Sequence, residues 1–524
     1  MVKTVRHPPA RIRGDVSRRT VLTGTAAFAL LPSLVTRSEA RLADTPFTLG
    51  VASGDPDARS VVLWTRLMLP VEEPPAGRID VRWSVFADEA LLRPVRHGTA
   101  SADPDNAHAV HVVVDGLEPD RFYWYRFEAL GHRSPVGRTR TFPHREAPAG
   151  RARFAVASCQ HYEHGHFAAH RLIAEERNDF VVFVGDYIYE RGGGSPNPVR
   201  RHNASIPTTL DEYRARYALY KSDPLLQASH ASAPWLVIWD DHEVENDYAN
   251  AQSQHLHPRA FFLKRRADAY RAFYEHMPLR PAARPRGSDL DLYRHLEYGA
   301  LATLFMLDCR QYRSPQACNP SHRGGSRSVA PCPELTAERR TMLGARQERW
   351  LAGRLRASRS AWNLLVQTTI VAKIDRDSGK GPRFSNDPWD GYPAARRRLL
   401  TQVGPGGARN SVFLGGDIHA FAAAELKRDF DDPRAPAVAT EFVASSVTAF
   451  RARADEPAAW RPKNPHLLFA EGRRRGYLRC TLDARQLQVD MRAVKDVRDP
   501  NSAGESIASF QVAAGTPRIQ ALKR

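Results

Sequence analysis

Four short apolar runs, each ending in residues able to hold a metal ion, constrain this chain more than any other feature. Arg153-Phe-Ala-Val-Ala157 ends in Ser158-Cys159. Phe180-Val-Val-Phe-Val-Gly-Asp186 leads into Tyr187-Ile-Tyr189. Trp235-Leu-Val-Ile-Trp239 leads into Asp240-Asp-His-Glu243, and Ser411-Val-Phe-Leu-Gly-Gly416 into Asp417-Ile-His419. Unbroken apolar runs of this length suit strands buried on both faces. In open α/β sheets the ligand site lies just beyond the carboxyl ends of such strands. The four endings are therefore expected to meet in one place.

Stretches with helical spacing at 165–177, 211–220, 259–275, 338–356 and 393–403 alternate with these runs and with strand-like runs at 301–308 and 362–369. That alternation predicts an α/β domain. Residues 47–142 read differently. Val61-Val-Leu-Trp-Thr65, Ile79-Asp-Val-Arg-Trp83, His111-Val-Val-Val114 and Phe122-Tyr-Trp-Tyr-Arg-Phe127 are strand-like, with no helical pattern between them. This predicts a small immunoglobulin-like β-sandwich with a structural role. A chain of 524 residues exceeds a single core. We expect a β-sandwich over 45–143, an α/β catalytic domain over 151–498 containing a hairpin at 477–481 and 488–493, and a polar C-terminal tail over 499–524. The loop at 191–207 follows Tyr189 and is expected near the site.

Ser17-Arg18-Arg19-Thr20-Val21-Leu22 precedes an apolar stretch ending near Leu34, then Arg37 and Ser38-Glu39-Ala40. This is the form of a twin-arginine signal over residues 1–40, with an apolar run too short to span a bilayer. It implies the twin-arginine translocase as an export partner and a periplasmic or secreted product. Residues 1–40 carry +5 of the formal charge of +18, leaving +13. A basic field attracts anionic substrates, but the basic residues are scattered without interleaved aromatics, so no stable nucleic-acid complex is expected. Of five cysteines, Cys318 and Cys332 flank a loop rich in Gly, Ser, Arg and Pro and are expected to pair. Closing a loop of about 15 residues contributes roughly 3 kcal/mol. Cys309 and Cys480 read as buried thiols. Cys159 stands at a strand end, where packing does not require it.

Two cations about 3.5–4 Å apart clamp the attacking and leaving oxygens of a phosphoryl transfer. Asp186, after Gly185 in a sharp turn, is the natural bridging carboxylate. A phenolate and a thiolate together favour Fe(III), which makes Cys159, Tyr189 and His419 its expected ligands. Asp417, two residues before His419, suits a Ca, Mg or Mn site, completed by Asp241 or Asn246. His242 is expected to be an outer partner of a ligand or the proton donor to the leaving oxygen. Each motif alone is weak. Four of them after buried strands in one domain are not explained by packing.

The order Ser158-Cys159, Val184-Gly-Asp-Tyr-Ile-Tyr-Glu190, Asp240-Asp-His-Glu-Val-Glu-Asn246, Leu307-Asp-Cys-Arg-Gln-Tyr-Arg313, Trp389-Asp-Gly-Tyr392 and Gly415-Gly-Asp-Ile-His419 resembles the PhoD-type alkaline phosphatases, within the calcineurin-like metallophosphoesterases. The resemblance runs from about residue 47 to about residue 495. It implies a four-layer αββα fold, one Fe(III) and calcium, and release of phosphate from phosphomonoesters and phosphodiesters outside the cytoplasm. Carried over, Cys159, Asp186, Tyr189 and His419 would bind iron, and Asp186, Asp417 and either Asp241 or Asn246 calcium. Cys309 departs from the family's threonine, and the segment after Asp499 lacks the amphipathic helix the family implies.

The expected reaction is hydrolysis by a metal-bound hydroxide or oxide, in line with the leaving alkoxide, with Arg310 neutralising non-bridging oxygens. No activated Ser or Cys nucleophile is apparent. Two rivals stand beside it. One is a dedicated phosphodiesterase or phospholipase acting on nucleic acid or phospholipid head groups. The other is an exported, non-enzymatic binding protein stabilised by metal.

Overall fold

The computed structural model describes residue 42 and residues 44–70, 77–148, 150–192, 194, 197–202, 204–377, 379, 381–451 and 453–523. The export signal expected over residues 1–40 lies outside the described residues.

Two mixed sheets stack face to face. The first runs in the order Ile519–Ala521, Gly504–Ala513, Gln486–Val494, Arg475–Leu482, Ala152–Ala157, Phe180–Val184, Trp235–Ile238, Val51–Gly54, Val61–Arg66, Ala109–Val114. The second runs Arg294–Tyr298, Ala302–Met306, Trp362–Val366, Ser411–Gly415, Ala437–Val443, Phe421–Lys427, Leu467–Glu471. The period-2 alternation of a strand divides the second sheet's side chains between two cores. Leu304, Leu364, Val366, Val412 and Leu414 share a core with Phe154, Val156 and Val182 of the first sheet. Phe305, Leu365 and Phe413 point the other way, onto Leu351, Leu355 and Leu399 of helices Gly344–Ala357 and Pro393–Leu400. Helices Ala168–Glu175, Leu210–Lys221, Pro224–Ser232 and Arg259–His276 bury Ile173, Tyr217, Leu226 and Tyr270 in the core shared with the first sheet. The result is the expected αββα layering. Each large apolar side chain so buried contributes about 1.5–3 kcal/mol.

Ala152–Ala157, Phe180–Val184 and Trp235–Ile238 are parallel. So are Ala302–Met306, Trp362–Val366, Ser411–Gly415 and Ala437–Val443. The ends that carry the candidate ligands therefore lie along one edge of each sheet. A bridge between Ser158 and Ser446 ties the two edges together. Gly416 makes this approach possible, because a Cβ there would collide with Ser158 and Val184.

The N-terminal β-region is a sandwich, but one of its sheets is not its own. Val51–Gly54 pairs parallel with Trp235–Ile238 through Gly54 and Trp235, so three strands of the sandwich extend the first sheet. The other sheet comprises Pro94–Ala102, Ile79–Phe86, Phe122–Ala129 and His132–Arg133, with Gly137–Arg140 on Phe122–Ala129. Val61, Leu63, Val81, Val112 and Phe127 fill the space between. Phe142, at the exit of this region, packs on Phe180 and Tyr298 of the main core.

Two expectations are corrected and one element was missed. The polar tail expected over 499–524 contains the strands Gly504–Ala513 and Ile519–Ala521. Only Phe510 and Val512 of the former are buried, which is why its apolar signal is weak. The helix expected from 338 begins at Gly344; the Thr341 hydroxyl accepts from Gly344 N at 2.8 Å, and the residues before it are turns. Helix Pro224–Ser232 was not anticipated, although Asp223 accepts from Leu225 N and Leu226 N at 2.8 and 3.1 Å, with proline at its first position, a strong start signal. The disulfide Cys318–Cys332 is formed. Cys159, Cys309 and Cys480 are buried thiols. Among the described residues no helix is long and apolar enough to cross a membrane.

Candidate functional site

Past the strand ends the backbone turns sharply. Cys159, Asp186, Asp417 and His419 have φ of 58°, 56°, 64° and 50°. Left-handed conformation at a non-glycine residue costs about 1–3 kcal/mol and gathers where function over-determines geometry. Here it swings four side chains from two sheets toward one point. Cys159 N donates to Gly185 O and Gln160 N to Asp186 O, both at 3.1 Å, which carries the pairing beyond the strands. Glu243 fixes the neighbouring turn: its carboxylate accepts from Asp186 N, Tyr187 N and Asp240 N at 3.1, 2.6 and 2.8 Å.

The donor atoms of Cys159, Asp186 and His419 lie within 4.8 Å of one another, as do those of Asp186, Asp241 and His242. Asp186 belongs to both groups. Tyr189 Oη is 2.9 Å from Asp186 Oδ2 and 3.1 Å from His419 Nε2. His419 Nδ1 is 2.9 Å from Phe450 O. A carbonyl only accepts, so Nδ1 carries the hydrogen and Nε2 presents its lone pair to the cluster. Thr369 Oγ1 donates to Asp417 Oδ2 at 2.6 Å, and Asp247 N to Asp241 Oδ2 at 2.6 Å. Asp241 Oδ1 is buried without a hydrogen-bond partner. Asn246 stands half-buried on the same turn, its backbone N–H donating to Glu190 Oε1 at 3.1 Å.

The electrostatics point to a missing positive charge. Burial, followed by the charge of Asp186, raises the Cys159 thiol well above its ordinary range, and the same two causes raise the Tyr189 phenol. Burial, reinforced by Asp241 and Asp240, raises Asp186. Burial also pushes Asp417 up to about 6. Burial and Arg475 push His419 down to about 3, which keeps its ring neutral. A cation that takes the place of these protons converts every group to its ligating form. The orphaned Asp241 oxygen and the mix of thiol, phenol, imidazole and carboxylates fit a pair of metal ions.

His242 sits beside this cluster, its ring 4.1 Å from that of Tyr189. Its Nδ1 is 2.6 Å from Glu190 Oε2. Burial alone would discharge the imidazole, but Glu190, Asp186 and Asp241 outweigh it and hold His242 protonated. Glu190 was overlooked in the sequence. Its signal was position alone, an acidic residue four after Asp186.

Arg310, expected on phosphate oxygens, is 1% exposed and lies beneath the site. Its guanidinium pairs with both Asp240 oxygens and, at 3.1 and 3.0 Å, with the Asp387 carboxylate. Asp387 also holds Arg313, whose Nε donates to Tyr392 Oη at 2.9 Å. The Trp389–Tyr392 motif thus braces the floor. Every nitrogen of the Arg310 guanidinium is engaged by a carboxylate.

The PhoD-like phosphatase family model matches residues 154–491, and the model of its N-terminal domain matches residues 33–143. The chain is 44% identical over 478 residues to alkaline phosphatase D of Bacillus subtilis (strain 168), covering 89% of this chain and 80% of that protein. It superposes on a solved structure described as the structure of PhoD with a TM-score of 0.87 and 42% identity, covering 92% of this chain and 93% of that one.

Proposed function

The chain belongs to the PhoD-like phosphatase family, and from that premise we propose how its residues divide the work. Cys159, Asp186, Tyr189 and His419 would hold Fe(III). Asp186 and Asp417, with Asp241 or Asn246, would hold calcium. When bound, such a pair supplies Lewis acidity, lowers the pKa of water and clamps the attacking and leaving oxygens. The observation that carries the reading is the approach of Cys159, Asp186 and His419 within 4.8 Å, with the Tyr189 phenol 2.9 Å from Asp186.

The residues then act as follows. Asp186 fixes the spacing of the two ion sites, its turn clamped by Glu243. His419 keeps Nε2 free because Phe450 O takes its other hydrogen. His242, charged by Glu190, hands a proton to the leaving oxygen. Arg310 positions Asp240 and Asp387 below the site. The proposed substrates are phosphomonoesters and phosphodiesters met outside the cytoplasm, after export through the twin-arginine translocase. Nucleic acid or phospholipid head groups enter only as substrates.

Family membership sets aside the non-enzymatic reading. Turnover of a monoester and a diester by one preparation measures the preference between the two ester classes. The metal assignment is tested by elemental analysis and the visible spectrum. Wild type should contain iron and show a tyrosinate-to-iron band; Cys159→Ser should lose iron and colour together. An iron-replete, fully active Cys159→Ser protein would end the proposal.

A further inference from the structure

With each Arg310 nitrogen taken by a carboxylate, the structure offers another guanidinium beside the centre. Arg376 makes no ion pair and no side-chain hydrogen bond among the described residues, and its Nε is buried and unpartnered. Its guanidinium stacks on Trp460, 4.9 Å from the ring centroid. Arg451 lies against the same indole at 5.0 Å. Trp460 is 4% exposed, and its Nε1, like Arg451 Nε, is buried without a partner. Two unpartnered guanidinium Nε–H groups and the indole's own N–H therefore cluster together, each carrying a desolvation cost that an acceptor would remove.

The cluster adjoins the candidate centre. Arg451 Nη1 donates to Ile418 O at 2.7 Å, the residue between Asp417 and His419. Phe450, next to Arg451, accepts from His419 Nδ1. Arg451 is otherwise occupied by Glu456 at 3.0 Å, whereas Arg376 pairs directly with no carboxylate among the described residues. Burial, then the neighbouring charge of Arg451, lowers its pKa, while Glu456, Asp390 and Asp417 oppose the shift.

We propose that Arg376, braced by Trp460 and Arg451, binds an anionic group of the substrate beside the metal centre. The inference rests on the reading of that centre given above. Guanidinium suits this task because its planar fork meets phosphate oxygens in pairs. The anion is either the reacting phosphoryl group, shared with product phosphate, or a second anionic group carried on the alcohol.

The test uses the metal-replete, full chain as wild type, Arg376→Gln and Arg376→Lys, with metal content and melting temperature checked for each. Measured are KM for para-nitrophenyl phosphate, which carries only the phosphoryl anion, KM for a nucleoside bisphosphate, and Ki for inorganic phosphate. Loss of a charged hydrogen bond to phosphate should raise the affected constants about tenfold or more in Arg376→Gln, and less in Arg376→Lys. A rise in all three places the reacting phosphoryl on Arg376. A rise for the bisphosphate alone places a second anionic group there. If Arg376→Gln does not fold, Arg376→Lys is read the same way. All three constants within twofold of wild type would overturn the assignment while leaving the metal centre standing. A wild type that hydrolyses neither ester overturns the reading of the centre, and Arg376 with it.

Discussion

His242 depends on Glu190 for both its orientation and its proton. The 2.6 Å contact from Nδ1 leaves Nε2 as the donor, and the Glu190 charge is the largest force holding the ring protonated against burial. A general acid must be protonated, so activity falls as pH rises through its pKa. Glu190→Gln removes the charge that raises that pKa. We predict that the alkaline limb of the kcat profile moves to lower pH, with kcat at the wild-type optimum down by about a hundredfold and iron content unchanged. An unmoved limb would remove His242 from the role. Glu441 offers a stability counterpart. Buried in the second sheet, it is pushed up to about 7 although Val371 N and Ala372 N donate to it. Its folded pKa lies above its unfolded one, so its contribution is complete below the unfolded value, near 4.5, and is lost as pH rises through about 7. Glu441→Gln removes the titrating group, at the fixed cost of leaving Val371 N or Ala372 N without an acceptor. Its melting temperature should gain on wild type as pH rises from about 4.5 to about 7 and keep a constant offset above that. The contrast with Arg310 shows what sequence carries at this scale. Cys159, Asp186 and His419 each follow an apolar strand, so their meeting was readable. The partners of Arg310, Asp240 and Asp387, lie 70 and 77 residues away, and no local spacing reveals such a pair.

Elements were legible where both faces are buried. The strands at 180–184, 235–238 and 411–415 are buried at every position, and such runs announce themselves. Edge strands do not. Gly504–Ala513 is half-exposed at most positions, yet it pairs along the whole length of Gln486–Val494 and lays Phe510 against Phe442 and Phe469 of the second sheet, with ring centroids 6.1 and 5.7 Å apart. What read as a polar tail is thus a strap over the inter-sheet core. Phe510→Ala should cost about 3–5 kcal/mol. Denaturant unfolding should show a lower midpoint, while kcat of the folded fraction stays at the wild-type value because the strap lies away from the candidate centre. Stability within a few tenths of a kcal/mol of wild type would mean the strand is an ornament. The Pro224–Ser232 helix failed for another reason. Its start signal was present in Asp223-Pro224, but nine residues are too few for a convincing helical period.

At the scale of the whole molecule, two sheets meet edge to edge at Ser158 and Ser446, and the price of that meeting is a pile of like charge. Asp186, Asp240, Asp241 and Asp417 come together from both sheets, each raising or opposing the ionisation of another. Among the described residues, Arg310 is the one arginine paired with this group directly, through Asp240 and Asp241. The sequence shows each acid at the end of its strand but not the density of charge, which exists only once Gly416 lets the second sheet approach the first. Two multivalent cations would relieve this repulsion, and an ion that binds only the folded state stabilises it by RT ln(1 + [L]/Kd), about 2.7 kcal/mol at a hundredfold excess over Kd. Chelation should therefore abolish hydrolysis and lower the melting temperature together, with the far-ultraviolet circular dichroism at room temperature unchanged because the hydrophobic layers persist. Returning calcium alone should restore both in a protein that has kept its iron. If chelation stops hydrolysis yet leaves the melting curve in place, the ions are not what holds the two acidic edges together, and protons shared among the carboxylates must do so instead.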